Sequence, residues 1–166
     1  MRRNTATPLP TTETETGSTS YSHRPTLTVL GFDYGARRIG VGVGNTFTGD
    51  ARALSVVGNG DNGVDWPRVE AAVRDWRPNA LLVGLPLMLD GSEQANSRTA
   101  RAFAAELGTR FKLPVHLVDE RLSSVEAASR FADRRARGQA RRKNANELDA
   151  IAAQIIIETW LKQNPR

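Results

Sequence analysis

Cysteine is absent from the 166 residues of this chain, which excludes disulfides and thiolate metal sites. Also absent is any apolar run approaching the ~20 residues that a membrane-spanning helix needs. No internal repeat is present. The stretch MRRNTATPLPTTETETGSTSYSHRP has no continuous apolar segment, so it does not read as a secretory leader. Its glutamates also argue against an organellar transit peptide. A cytoplasmic protein with no membrane partner is therefore expected. Large apolar groups are scarce over residues 1–25, where Thr, Ser, Pro and Glu dominate. Such a segment buries too little surface to offset the entropy of ordering, and a disordered tail is expected there.

What is present fits one globular domain, expected over residues 26–162. Hydrophobic residues make up 39% of the chain, enough for a core. The formal net charge is +5 and is concentrated in one place. RFADRRARGQARRK, residues 130–143, carries seven basic residues against one acidic one, a local +6 that leaves the remainder near −1. A basic stretch of this kind suits a polyanionic partner; a solvated loop or helix face is the alternative.

From Leu27 the pattern is ordered. LTVLGFD reads as a strand closed at Gly35, and RIGVGVGN as its antiparallel hairpin partner. Glycines 40, 42 and 44 alternate with Ile39, Val41 and Val43, so one face of that strand is nearly bare and suits close approach by a backbone, helix or ligand. ALSVVGN completes a meander. VDWPRVEAAVRDW has helical spacing, with Val69, Val73 and Trp76 on one side. ALLVGLP reads as a strand buried on both faces. Ser92 is expected to cap the next helix, whose ridge is Thr99, Phe103, Leu107 and Phe111. PVHLVDE is a further strand, and Ser123 with Glu126 forms a capping box opening a helix to about Arg135. A last helix is expected from about Asn144 to Lys162, with Leu148, Ile151, Ala152, Ile155 and Thr159 inward. The order implies an α/β domain of the ribonuclease-H-like kind: a mixed five-stranded sheet, antiparallel meander plus parallel strands, with helices on both faces.

Three acids fall at informative places. Asp33 ends the first strand, Glu120 the last, and Asp149 lies near the start of the final helix beside small Ala145 and Ala153. Ligand sites of open α/β sheets gather at the carboxyl ends of strands. Three converging carboxylates are costly to bury unless a cation sits among them, and oxygen-only ligands favour Mg²⁺ or Mn²⁺. Such cations are the usual apparatus of phosphodiester cleavage. Taken singly, Asp33 in a D-x-G turn reads more readily as a turn residue than as a ligand, Asp119-Glu120-Arg121 also fits a surface ion-pair cluster, and Asp149 also fits a helix-edge charge. Strand parity does not separate Asp119 from Glu120, because Val115 and Leu117 share a face with the first and Val118 with the second.

GFDYGARRIGVGVGN, VGLPLMLDGSE, LPVHLVDERLSSVEA and NELDAIAAQIIIETWL, in this order, resemble the signature blocks of the YqgF/RuvX family over about Thr26 to Leu161. That family is described as Holliday junction resolvases and as nucleases trimming precursor small-subunit ribosomal RNA. The resemblance implies a ribonuclease-H-like fold with catalytic, metal-binding carboxylates at Asp33, Glu120 and Asp149, and products bearing a 5′-phosphate and a 3′-hydroxyl. Met88 and Leu89 stand where the family pattern has Asn and Met, so a polar residue is replaced by Met88 in the loop after the G-L-P block. On this reading Arg38, Arg134, Arg135, Arg137, Arg141, Arg142 and Lys143 neutralise phosphates of structured RNA or branched DNA. Two other readings remain: a non-catalytic RNA-binding ribosome or transcription factor, and an actin-like phosphotransferase, which needs two such domains where this length supplies one.

Overall fold

The computed structural model describes residues 25–122 and 142–165. Outside them lie the expected tail up to residue 24, the Ser123–Glu126 capping box and its helix, and Arg134, Arg135, Arg137 and Arg141.

Among the described residues, six strands form one sheet. β1 (Thr28–Tyr34), β2 (Arg38–Asn45) and β3 (Ala51–Gly60) make the antiparallel meander, and β5 (Ala80–Leu85) and β6 (Val115–Asp119) continue it in parallel beyond β1. The sixth strand is β4 (Gly63–Val64), which pairs with Asn59 and Gly60 and gives the order β4-β3-β2-β1-β5-β6. A turn was expected over GNGDNG; Gly63, at φ +79°, instead closes a tight hairpin that adds this two-residue edge strand.

Helices α1 (Trp66–Trp76) and α2 (Ala95–Phe111) cover one face and α3 (Arg142–Gln163) the other. Asp65 caps α1 by accepting from the Arg68 amide, and Val69 is buried while Val73 and Trp76 pack at the margin. Ser92 does not cap α2. It donates to Asp90 within the preceding loop, and the helix starts at Ala95, where the Gln94 amide donates to the Ser97 hydroxyl. Thr99 points outward and bonds the Asn96 carbonyl; the inward stripe is Ser97, Ala100, Phe103, Ala104 and Leu107. Phe103 is the centre of this face, with the Phe32, Tyr34 and Trp66 rings 4.9–5.8 Å away.

α3 is described from Arg142 and so includes two residues before its expected start at Asn144. Of its expected inward stripe, Ile155 and Thr159 are buried, but the residues lying on the sheet glycines are others. Ala153 and Ile157 lie on Gly31, and Ile157 also meets Gly42 and Gly44; Ile156 lies on Gly84. This helix is apolar nearly all round between Ala150 and Ile157, so its own spacing does not select a face. The bare β2 glycines do. Burying Ile155, Ile156 and Ile157 contributes about 1.5–3 kcal/mol each. Among the described residues no helix is long and apolar enough to cross a membrane.

Candidate active site

Alternation along β1 sends Phe32 and Tyr34 toward α2 and leaves Gly31 and Asp33 facing α3. Asp33 pairs across the strands with Gly40, and Gly40 lies directly beneath the Asp149 carbonyl; a Cβ at position 40 would overlap that oxygen. The glycine therefore lets α3 seat Asp149 beside Asp33.

The choice between Asp119 and Glu120 is made by β6. Val115 packs in the α1/α2-side core, whereas Val118 is buried against α3. Asp119 is the last strand residue and Glu120 the first of a 3₁₀ turn, Glu120–Leu122, rather than the strand end expected. Glu120 follows Val118 onto the α3 face. Its Oε1 lies 2.5 Å from where a Cβ of Gly84 would stand, so Gly84 is the gap over which this side chain reaches toward β1. Asp119 is taken up by Arg121, whose amide donates to it at 2.9 Å and whose Nη2 lies 2.7 Å from Oδ2. Arg121 also donates to the Leu89 carbonyl at 3.3 Å, tying the β5–α2 loop to the end of β6.

A cavity of about 150 Å³ is lined by Asp33, Val118, Asp119, Glu120, Ala152, Ile155, Ile156 and Thr159. Larger hollows exist, one of about 480 Å³ between the β2–β3 turn and the end of α3, but the site is located by its carboxyls and not by size. Burial pushes the Asp33 carboxyl up to about 6, helped by the Asp149 charge. Burial pushes Glu120 up to about 7, with Asp33 and then Asp119 adding repulsion. Asp119 goes the other way, lowered chiefly by its hydrogen bond from Arg121. Shifts of this kind mark a place able to hold a proton or a cation.

Asp149 is coupled to Asp33 but does not line the cavity. Its Oδ2 lies 2.7 Å from Arg38 Nε. The three expected acids thus form a chain of influence, Asp149 to Asp33 to Glu120. Among the described residues no three Asp, Glu or His side chains cluster tightly enough to hold an ion as they stand. Arg38, expected on phosphate, is here a carboxylate partner. Of the other expected basic contacts, Arg142 and Lys143 fall in the first turn of α3. Sequence reasoning missed Gly84, whose signal was a lone glycine within the apolar strand Ala80–Leu85; only the sheet pairs it with Val118, just before the D-E-R motif.

A family match described as "RuvX: Holliday junction resolvase" spans residues 27–163. The chain belongs to the RuvX family. RuvX relatives include a protein of Xanthomonas campestris pv. campestris (strain B100) named "Putative pre-16S rRNA nuclease", 53% identical over 138 residues, which are 83% of this chain and 89% of that protein. A protein of the same name from Xanthomonas axonopodis pv. citri (strain 306) is 52% identical over the same shares. Among solved structures, Thermus thermophilus RuvC in complex with a Holliday junction substrate aligns with a TM-score of 0.54 at 19% identity, covering 82% of this chain and 95% of that one. That likeness shows the fold, which is ribonuclease-H-like.

Proposed function

We propose that this RuvX-family protein is a cytoplasmic, divalent-cation-dependent nuclease that hydrolyses phosphodiester bonds of structured nucleic acid, with 5′-end maturation of precursor 16S ribosomal RNA as its task. The observation carrying this reading is that Asp33 and Glu120, at the carboxyl ends of β1 and β6, line one small cavity. The relatives' shared name directs it toward precursor 16S RNA.

The donor set fits Mg²⁺ or Mn²⁺, being oxygen only and electrostatically short of positive charge. Asp33 and Glu120 would hold the ion, and Asp149 would join them on leaving Arg38. When bound, a divalent cation supplies Lewis-acid stabilisation of the charge that develops on the phosphoryl oxygens. The chain's own part is to exclude water with Val118, Ile155 and Ile156, to orient the carboxylates over Gly40 and Gly84, and to neutralise flanking phosphates. That last role falls to the stretch containing Arg134, Arg135, Arg137, Arg141, Arg142 and Lys143. We assign residues 26–162 to a single nuclease domain and give residues 1–25 no part in the chemistry.

A second reading, resolution of branched DNA, is favoured by the family description. The deciding experiment offers the protein an RNA spanning the 16S 5′ end with its precursor extension, and separately a four-way DNA junction, each with and without Mg²⁺ or Mn²⁺. Cation-dependent trimming of the RNA with little junction cleavage is expected. Preferential junction cleavage would transfer the assignment to DNA, and no cleavage of either would leave a binding factor of ribosomal precursor particles.

A further inference from the structure

We propose that Arg38 is an exchangeable counter-cation for Asp149, holding that carboxylate aside until a divalent cation displaces it and frees the guanidinium for substrate phosphate. This deepens the cation-dependent reading above and rests on it.

The contact is a single charge-assisted hydrogen bond, Arg38 Nε to Asp149 Oδ2 at 2.7 Å, and not a bidentate fork. The side chains are 45% and 29% exposed, a setting in which ion pairs are weak and readily exchanged. The backbones behind them are fixed. The Asp149 carbonyl rests on Gly40, so α3 has no room to shift toward the sheet. On the other side, the Arg38 carbonyl accepts from the Gly35 amide at 3.0 Å. Buried Asn59 pins the same turn, donating Nδ2 to the Gly35 carbonyl at 2.7 Å and its amide to the Arg37 carbonyl at 2.8 Å.

Exchange is therefore a matter of side-chain rotation. Asp149 is already close enough for its charge to be felt at Asp33. A cation arriving at Asp33 competes with Arg38 for the charge and orientation of the Asp149 carboxylate, so binding of either disfavours the other. By linkage, Arg38 weakens cation binding, and a bound cation releases Arg38.

The test titrates Mn²⁺ alone against the full-length protein without nucleic acid, following free ion by its electron spin resonance signal. Arg38→Gln is expected to tighten Mn²⁺ binding by roughly 3- to 10-fold. The gain should vanish in the Asp149→Asn background, where the guanidinium has no carboxylate to hold. Unchanged or weaker binding by Arg38→Gln overturns the proposal. So does a gain that persists with Asp149→Asn, since it would reflect only the general field of the lost charge. In both cases Mn²⁺ binding by the parent leaves the cation site standing. No binding by the parent or either variant overturns the cation site and this inference together.

Discussion

On one face of the sheet Phe32, Ile39, Val41 and Val43 stand up to meet α1 and α2, and Phe103 interlocks with three rings. On the other, Gly31, Gly40, Gly42 and Gly44 leave β1 and β2 bare, and α3 lies almost on their backbone. The first face gains stability by filling space. The second leaves space empty so that two carboxyls and a helix can come within reach of one another. A core made of large side chains would have separated Asp33 from Asp149 by a layer of apolar atoms. Missing side chains, as much as the acids, create this site.

The most severe way to test the contrast is to neutralise the acids without changing their shape. Asp33→Asn or Glu120→Gln should lower cleavage by about 10²–10⁴-fold. Asp119→Asn, on the other parity of β6, should cost far less, as measured by initial rates on the same RNA. Stability should move oppositely to activity. Asp33 and Glu120 keep their protons to about 6 and about 7, against ordinary values of 3.8 and 4.5. The folded protein therefore holds more protons than the unfolded chain between about pH 4 and 7, and its stability falls as pH rises through that window, then levels. The loss is on the order of 3 kcal/mol for the coupled pair. Melting temperatures from pH 4.5 to 8 should show the decline, and Asp33→Asn should flatten part of it, leaving the part that burial imposes on Glu120. Saturating Mg²⁺ at pH 8 should restore stability by about 2–3 kcal/mol. A parent whose melting temperature climbs from pH 5 to 8 would contradict the buried, repelling pair.

Smaller effects separate filling from emptiness. Phe103→Ala should destabilise by about 3–5 kcal/mol, through a cavity on the face remote from the acids. Gly40→Val should destabilise by about 1–3 kcal/mol for the opposite reason, because its side chain forces α3 off the sheet. Gly84→Ala is the sharper probe. The added methyl meets Glu120 Oε1 and Ile156, so cleavage should fall well beyond what the modest change in melting temperature explains. If Gly84→Ala loses activity only in proportion to folded protein, Glu120 does not need that gap.

How far these faces were legible in the sequence depended on side chains that exclude alternatives. β2 runs from Arg38 to Asn45 as expected because glycines alternating with Ile and Val admit one register. The bare face was visible, as was Ala153 beside Asp149. The stripe of α3 was not, since Ile155, Ile156 and Ile157 are consecutive and any of several faces would bury apolar surface. Ser92 misled because Asp90 competes for its hydroxyl. Asp119 and Glu120 were indistinguishable because β6 carries apolar residues on both sides. Gly84, on the strand next to that of Asp33, decides between them, and that adjacency exists only once β5 lies between β1 and β6.

The smallest expected effect asks which face of the molecule meets the substrate. RRARGQARRK, residues 134–143, has no apolar residue larger than Ala136 or Ala140, so it has nothing to bury, and its like charges repel without a polyanion. It leads into α3, which covers the glycine face and carries Asp149. Phosphates bound there would release counterions, and each lost contact would then flatten the log–log dependence of affinity on salt by about 0.7–0.9. Arg141→Ala with Arg142→Ala should therefore lower the slope by about two contacts' worth, weaken binding of many sequences alike, and leave the melting temperature within about 1 °C. Arg74→Ala, an exposed charge of α1 on the aromatic face, should change neither affinity nor slope. Filter binding across 50–300 mM salt, in EDTA to prevent cleavage, reads both variants. If Arg74→Ala flattens the slope as much as the double change does, the nucleic acid is held by overall charge and the glycine face has no privileged role in binding.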